Sequence, residues 1–320
     1  MLEITEQGIG QGQRTAVALG IFDGVHLGHR LVLDKAVEQS ARGLAPAVFT
    51  FKSGTLTTKP QSERLLTEEA KAERLESLGI EYIYAPDFKD LRALEPVAFI
   101  EQVLVGKMGC GCAVCGKDFR FGRGAVGDAA LLRREGERLG FEVKVLDKLQ
   151  MDGAQVSSSR IKKLVRTGDI REANKLLGYT FGYTLPVVHG NEIGRTWNFP
   201  TINQRLPEGI VLPRFGVYCA RVTVGGKEFK GVANVGVKPT IEKKIAPLAE
   251  TFILNFDGDL YGKVVDLRLD EFLRPEQRFN DVKALRARIQ ADVMRTAEFY
   301  ASAHGASRES TRKLVHNGEV

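Results

Sequence analysis

Short apolar runs alternate with helical patterns through the first half of this chain. Thr15-Ala-Val-Ala-Leu19 reads as a buried strand that ends in Gly20, and Leu27 to Ser40 follows as a helix. Pro46 to Phe51, Ile80 to Tyr84, Cys112 to Cys115 and Phe141 to Val145 supply further strands. Between them, Thr67 caps a helix through Leu75 and Leu78, with Gly79 just beyond its end. Pro96 opens another that puts Phe99, Ile100, Val103 and Leu104 on one face, and Asp128 to Leu139 forms a third. Parallel strands need crossover connections, so this alternation predicts a parallel sheet with helices on its faces. Ligands of such sheets collect at the carboxyl ends of the strands.

Near residue 180 the pattern changes. From Tyr183 to Leu273 the segments are short, rich in Val, Thr, Phe and Tyr, and punctuated by Gly and Pro. Gly225-Gly226 and Asp257-Gly258-Asp259 read as hairpin turns of a compact antiparallel barrel. Asp281 to Phe299 returns to helical spacing, with Val282, Leu285, Ile289 and Val293 on one stripe, and the polar residues after His304 read as a loose tail. The expected domains are residues 1–182 and 183–304, with 305–320 as the tail, a division that suits 320 residues.

Charge narrows the partners. With 46 Lys+Arg against 40 Asp+Glu, the net charge of +6 suits anionic small molecules. No basic stripe alternates with aromatics, and the run Arg160-Ile-Lys-Lys163 with Arg166 is short, so no nucleic-acid partner is expected. No apolar run approaches membrane-spanning length, and Met1 to Arg14 lacks a signal core. Cys110, Cys112 and Cys115 split between two strand faces, with no fourth ligand nearby at zinc spacing; with Cys219 they read as small buried residues of a reduced, cytoplasmic protein. Oligomeric state is left open by the sequence.

The chemical signal lies directly after the first strand, in Gly20-Ile-Phe22-Asp23-Gly24-Val-His26-Leu-Gly28-His29. Two glycines permit a tight turn and close backbone approach. His26 and His29 are three residues apart at a helix start, so both rings can face one phosphate, where backbone amides and the helix dipole also favour an anion. Such donors stabilise charge that builds up on a phosphate under attack.

That turn resembles the His-x-Gly-His signature of nucleotidyltransferases, in the extended form of the bacterial bifunctional riboflavin kinase/FMN adenylyltransferases (FAD synthetases). Gly116-Lys-Asp118-Phe119-Arg-Phe121-Gly122 resembles the second motif of that family. Ser157-Ser158-Ser159-Arg160-Ile161 resembles its Ser-Ser-Thr-Arg-Ile motif, and His189-Gly190 with Gly194-Arg195 to Phe199-Pro200-Thr201-Ile-Asn203 resembles its kinase signature. Gly216-Val-Tyr218, Gly231 to Gly236, Lys238-Pro239-Thr240, Asp257 to Gly262 and Leu273-Arg274 with Phe279 follow in family order. The resemblance implies an α/β Rossmann-like nucleotidyltransferase domain followed by an antiparallel β-barrel, riboflavin-kinase-like domain with a C-terminal helix. It implies riboflavin phosphorylation by ATP to FMN, then AMP transfer to FMN giving FAD and pyrophosphate, both with Mg²⁺.

Carried over residue by residue, the resemblance assigns His26, His29 and Arg160 to catalysis, and Gly20, Phe22, Asp23, Gly24, Gly28, Asp118, Ser158 and Ser159 to ATP in the first domain. In the second it assigns His189, Gly190, Gly194, Thr201 and Asn203 to ATP, with Thr201 and Asn203 also on the metal, and Lys238, Thr240 and Arg274 to flavin. Two departures stand out. After the second strand the chain reads Thr50-Phe51-Lys52-Ser53-Gly54, without the family's Asp-Pro-His-Pro, which bears on acceptor recognition. The family's kinase base, a Glu, falls on Arg268, which cannot accept a proton, and Phe252 replaces a His. Asp266 and Asp270, two residues away on the same strand face, are expected to pair with Arg268. The expectation is an active adenylyltransferase with a weak or silent kinase. The alternatives are a flavin- and nucleotide-binding regulatory paralogue, or an adenylyltransferase with a changed acceptor.

Overall fold

A computed structural model describes the chain except for residues 6, 11, 53, 56–62, 190–199, 240–244 and 317–320. The chain divides into two compact units, one of residues 1–162, 176–178 and 209–211, the other of residues 163–175, 179–208 and 212–320.

Among the described residues, the first unit is built on six parallel strands: β1 (Leu2–Glu3), β2 (Thr15–Leu19), β3 (Ala45–Phe49), β4 (Tyr82–Tyr84), β5 (Cys110–Gly116) and β6 (Glu142–Leu146). Their order is β1-β4-β3-β2-β5-β6. Every residue of β2 and β3 is buried, as expected of strands covered on both faces. Helices α1 (Leu27–Val37), α2 (Glu68–Ser77), α3 (Phe88–Leu91), α4 (Pro96–Ala98) and α5 (Ala129–Leu139) connect them. The anticipated caps are in place: Thr67 accepts from the Ala70 N–H, and Asp128 from that of Leu131. Pro96 does open a helix, but the turns beyond it, Phe99–Lys107, are π-helical. Strand β1 was not expected from the polar amino terminus; its backbone adds to the β4 edge with Leu2 beside Tyr82. A small hairpin, β7 (Gln150–Met151) and β8 (Ala154–Gln155), precedes α6 (Ser158–Thr167).

Among the described residues, the second unit holds α7 (Ile170–Leu177, all but its last two residues) and six antiparallel strands: β9 (Gly182–Pro186), β10 (Thr201–Arg205), β11 (Gly216–Val224), β12 (Lys227–Pro239), β13 (Ile245–Ile253) and β14 (Val264–Arg274). Their order is β10-β13-β12-β11-β14-β9. The edges β9 and β10 nearly close the barrel: the Val188 N–H donates to the Asn203 carbonyl (2.8 Å), and the buried Gln204 amide donates to the carbonyls of Leu185 (2.9 Å) and Val265 (2.8 Å). Gly225 and Gly226, at φ +55° and +79°, make the predicted two-residue turn between β11 and β12. The Asp257-Gly258-Asp259 turn does not make a hairpin. It lies between β13 and β14, which are not neighbours, so it belongs to a crossover.

Helix α8 runs from Val282 to His316, so the expected loose tail after His304 is helical in its backbone. The segment contains no proline and several good helix formers. Asp292, on α8, accepts from the Arg274 guanidinium at the end of β14, Nε at 2.9 Å and Nη2 at 2.7 Å, with both side chains buried. Asp292→Ala would leave that guanidinium buried and unpaired. It should cost about 3–5 kcal/mol, read from urea unfolding of the barrel.

Candidate functional site

A cavity of about 480 Å³ opens at the carboxyl ends of β2, β3 and β5. Chain order reverses across β2, which lies between β3 and β5, and a crevice forms where the two following loops part. Gly20 to His29 leaves β2, Gly116 to Gly122 leaves β5, and Ser157 to Ser159 completes the lining.

His26 is the N-cap of α1; its Nδ1 accepts the backbone N–H of His29 at 3.2 Å. In the neutral ring the remaining proton then sits on Nε2, as a donor. The two imidazoles stack, 3.6 Å between centroids at 16°, and Phe22 meets His29 edge-on. Burial pushes His26 down to about 4, against a weaker upward pull from Asp23. Burial also drives His29 well below its ordinary value, reinforced by His26 and by the Lys71 ammonium. Both rings are therefore uncharged at neutral pH. They offer hydrogen bonds to an anion without needing to be cations.

This has a consequence for stability. Between pH 6.5 and about 4 the unfolded chain binds protons that folded His26 refuses. Its contribution is complete above 6.5 and is lost as pH falls towards 4, about 3 kcal/mol for this ring alone. Urea unfolding at pH 7 and pH 4.5 should show that loss, and His26→Gln should reduce it.

The backbone of the turn is strained: Phe22 (φ +53°) and Val25 (φ +39°) occupy the left-handed region as non-glycines. Gly24 has φ +85°, and a Cβ there would lie 2.5 Å from Leu65 Cδ1, so this glycine serves the turn and its packing. A Cβ on Gly28 would press on the His26 ring at 3.2 Å. Asp23 is not on the cavity wall and fastens its turn to two other segments, at Leu65 and on α6. Its carboxylate accepts the Leu65 N–H (2.8 Å) and pairs with Lys162 (2.5 Å), and its carbonyl accepts the Ser158 hydroxyl (2.8 Å). Ser157 caps α6 by accepting the Arg160 N–H at 3.3 Å. The amino ends of α1 and α6 thus converge on one cavity, an arrangement that favours an anion.

The structure brings Gly20, Phe22, His26, Gly28, His29, Asp118, Ser158 and Ser159 together on the cavity wall; Asp23, Gly24 and Arg160 are not on it. The Arg160 guanidinium donates to the carbonyls of Met151 and Ala154, both at 3.1 Å, and supports the β7–β8 hairpin. Asp118 pairs with Lys148 at 2.7 Å, and Lys148 also lines the cavity. Phe49, Phe51, Phe99, Phe119 and Phe121 form an aromatic wall that sequence reasoning placed only in part; Phe119 and Phe121 sit in the second motif, while Phe49 and Phe99 looked like core. Lys52 is exposed and off the wall; Ser53 lies outside the described residues.

In the barrel, Gly190, Gly194 and Thr240 lie outside the described residues, and Lys238 is described only as a position on β12. His189 stacks on Tyr261, 3.9 Å between centroids. The Arg274 guanidinium donates to Asp292 and to the Pro275 carbonyl, and it ties helix to barrel. Arg268 pairs with Asp266, as expected, and reaches Thr184. Asp270 does not join them: it is held by Arg221 (2.8 and 2.9 Å) and by the Tyr300 hydroxyl (2.7 Å). One carboxylate was overlooked. Strand register sets Glu250 of β13 directly opposite Asn203 of β10 on one side and Asn234 of β12 on the other. Directly opposed residues share a face, with Cβ atoms about 5 Å apart. A Glu alternating with the buried Ala249 and Thr251 was the available signal, because its side chain must leave the core.

Fold and sites together define a nucleotide-handling α/β unit joined in one chain to an antiparallel barrel. The family models agree unit by unit: residues 9–160 match FAD synthetase and residues 177–300 match riboflavin kinase. The bifunctional riboflavin kinase/FMN adenylyltransferase of Listeria monocytogenes is 35% identical over 89% of this chain and 92% of its own length. That of Escherichia coli is 34% identical over 89% and 92%. A solved structure described as a macrolide-efflux protein from Streptococcus pneumoniae superposes with a TM-score of 0.84 at 27% identity, covering 93% of this chain and 99% of that one. No helix among the described residues is long and apolar enough to cross a membrane. The chain belongs to the bifunctional riboflavin kinase/FMN adenylyltransferase family.

Proposed function

We infer that this chain makes FAD, phosphorylating riboflavin with ATP in the barrel and transferring AMP from ATP to FMN in the α/β unit. A cytoplasmic site of action goes with that reading. The observation that carries it is the stacked imidazole pair at the amino end of α1, inside a cavity with an aromatic wall. In adenylyl transfer an oxygen of the FMN phosphate attacks the α-phosphorus of ATP, the bond to the bridging oxygen breaks, and pyrophosphate leaves. His26 and His29 donate to oxygens whose charge grows during that step. The amino end of α6, with Ser158 and Ser159, receives the departing pyrophosphate. The phenylalanines suit a flat, apolar flavin ring. Arg160 acts by holding the hairpin beside this helix end.

In the barrel, Glu250 takes the proton of the attacking riboflavin hydroxyl. It is a carboxylate on the same face as Thr201 and Asn203, so the loss of a Glu at position 268 no longer argues for a silent kinase. The donor set fits Mg²⁺ there: Asn203 Oδ1 is buried without a hydrogen-bond partner, a hard oxygen beside a hydroxyl. Thr201 and Asn203 would hold the ion, which supplies charge neutralisation for the phosphates. The regulatory-paralogue and changed-acceptor alternatives gain nothing from the comparisons. Purified protein given Mg²⁺, ATP and riboflavin should form FMN and then FAD with pyrophosphate. Nucleotide binding without either product would restore the binding-only alternative.

A further inference from the structure

We propose that Lys71 is a positioning residue for adenylyl transfer: a buried ammonium group that, through Thr50, fixes the backbone from which the paired-imidazole turn departs. The proposal rests on the adenylyl-transfer reading above and adds a residue that no motif of the sequence singled out.

Lys71 lies on α2 and is only 5% exposed. Its Nζ donates to Thr50 Oγ1 at 2.9 Å, and Thr50, fully buried just past β3, donates in turn to the Ile21 carbonyl at 3.0 Å. Among the described residues no carboxylate lies within ion-pair distance of it. Burying an ammonium group against one hydroxyl is costly, and packing alone would be better served by a methionine. Burial accordingly lowers its proton affinity, with Glu68 and Asp23 pulling the other way.

The position explains the cost. Ile21 immediately precedes Phe22, the first strained residue of the turn. A left-handed non-glycine is strained and persists only where its surroundings over-determine it. Downstream, Asp23 is held by Leu65, Lys162 and Ser158. Upstream, the Gly20 N–H donates to the Phe49 carbonyl (3.2 Å), and the Lys71–Thr50 link holds the Ile21 carbonyl. Lys71 thus anchors the strand side of a turn whose other side is fastened by Asp23. Its charge also falls on His29 and helps keep that ring unprotonated.

The test compares Lys71→Met, Thr50→Val and the double variant in full-length protein. FAD formation is measured as kcat and as KM for ATP, and riboflavin phosphorylation in the same samples serves as the control for intact protein. Lys71→Met should lower kcat for FAD formation by about 10–100-fold, as misplacement of reacting groups does, with KM within about 3-fold. Thr50→Val should reproduce the kcat loss, and the double variant should be no worse than the larger single one, because both break one link. Should Lys71→Met fail to fold, the nearly isosteric Thr50→Val carries the same expectation. Wild-type kcat in folded variants, a loss confined to KM, or additive losses in the double variant would each overturn the proposal. A wild-type protein that forms no FAD would overturn the underlying reading instead.

Discussion

Replacing His26 and His29 together by alanine should abolish measurable FAD formation while riboflavin phosphorylation continues at its original rate. Removing one preorganised donor from developing charge costs about 10²–10³-fold in kcat, and here two donors are lost from one anion site. The rings also support each other: His26 caps α1 through the His29 N–H, and the two stack at 3.6 Å. The single variants should therefore be strongly non-additive. Following FAD and pyrophosphate release with FMN and ATP as substrates reads the first half, and the kinase assay reports that the chain still folds. FAD formation at wild-type speed in the double variant would remove the basis for the adenylyl-transfer assignment.

In the barrel, Glu250→Gln should lower riboflavin phosphorylation by about 10²–10⁴-fold, the usual cost of losing a positioned general base. The amide keeps the shape and loses the ability to take a proton. Adenylyl transfer to added FMN should be unchanged. Arg268→Ala is the matched comparison. It releases Asp266 and Thr184 from a part-exposed ion pair, so its effect on the kinase should stay within a few-fold. A Glu250→Gln enzyme that phosphorylates riboflavin at the wild-type rate would remove Glu250 as the base.

Glu250 shows where sequence reading stops. Its strand was visible as a short β-rich segment, but its neighbours were not, because they lie on β10 and β12 and are set by pairing between strands distant in the chain. Counting forward from Gly262 instead led to Arg268, a position on another strand. Arg274 has a partner that the sequence hides, for a related reason. It occupies the right place in the family order, yet helix α8 returns to bring Asp292 against it, and the ion pair consumes the guanidinium. The Asp257–Asp259 turn had hairpin chemistry, but strand order decided that it would serve as a crossover. Lys71 had no local signature at all, since a lysine on a charged helix reads as surface until the sheet closes over it.

What the sequence settled by itself was local. Apolar runs ending in glycine specified β2 and its following turn, caps at Thr67 and Asp128 specified helix starts, and Gly225-Gly226 specified a two-residue turn. The placing of His26 and His29 three residues apart on one helix end belongs to this group, because a helix brings such neighbours together without help from the rest of the chain. The tertiary structure alone decided which carboxylate faces Asn203, which carboxylate holds Arg274, and which buried cation props the strained turn. Those depend on register and burial, quantities that exist only once distant segments have paired and excluded water.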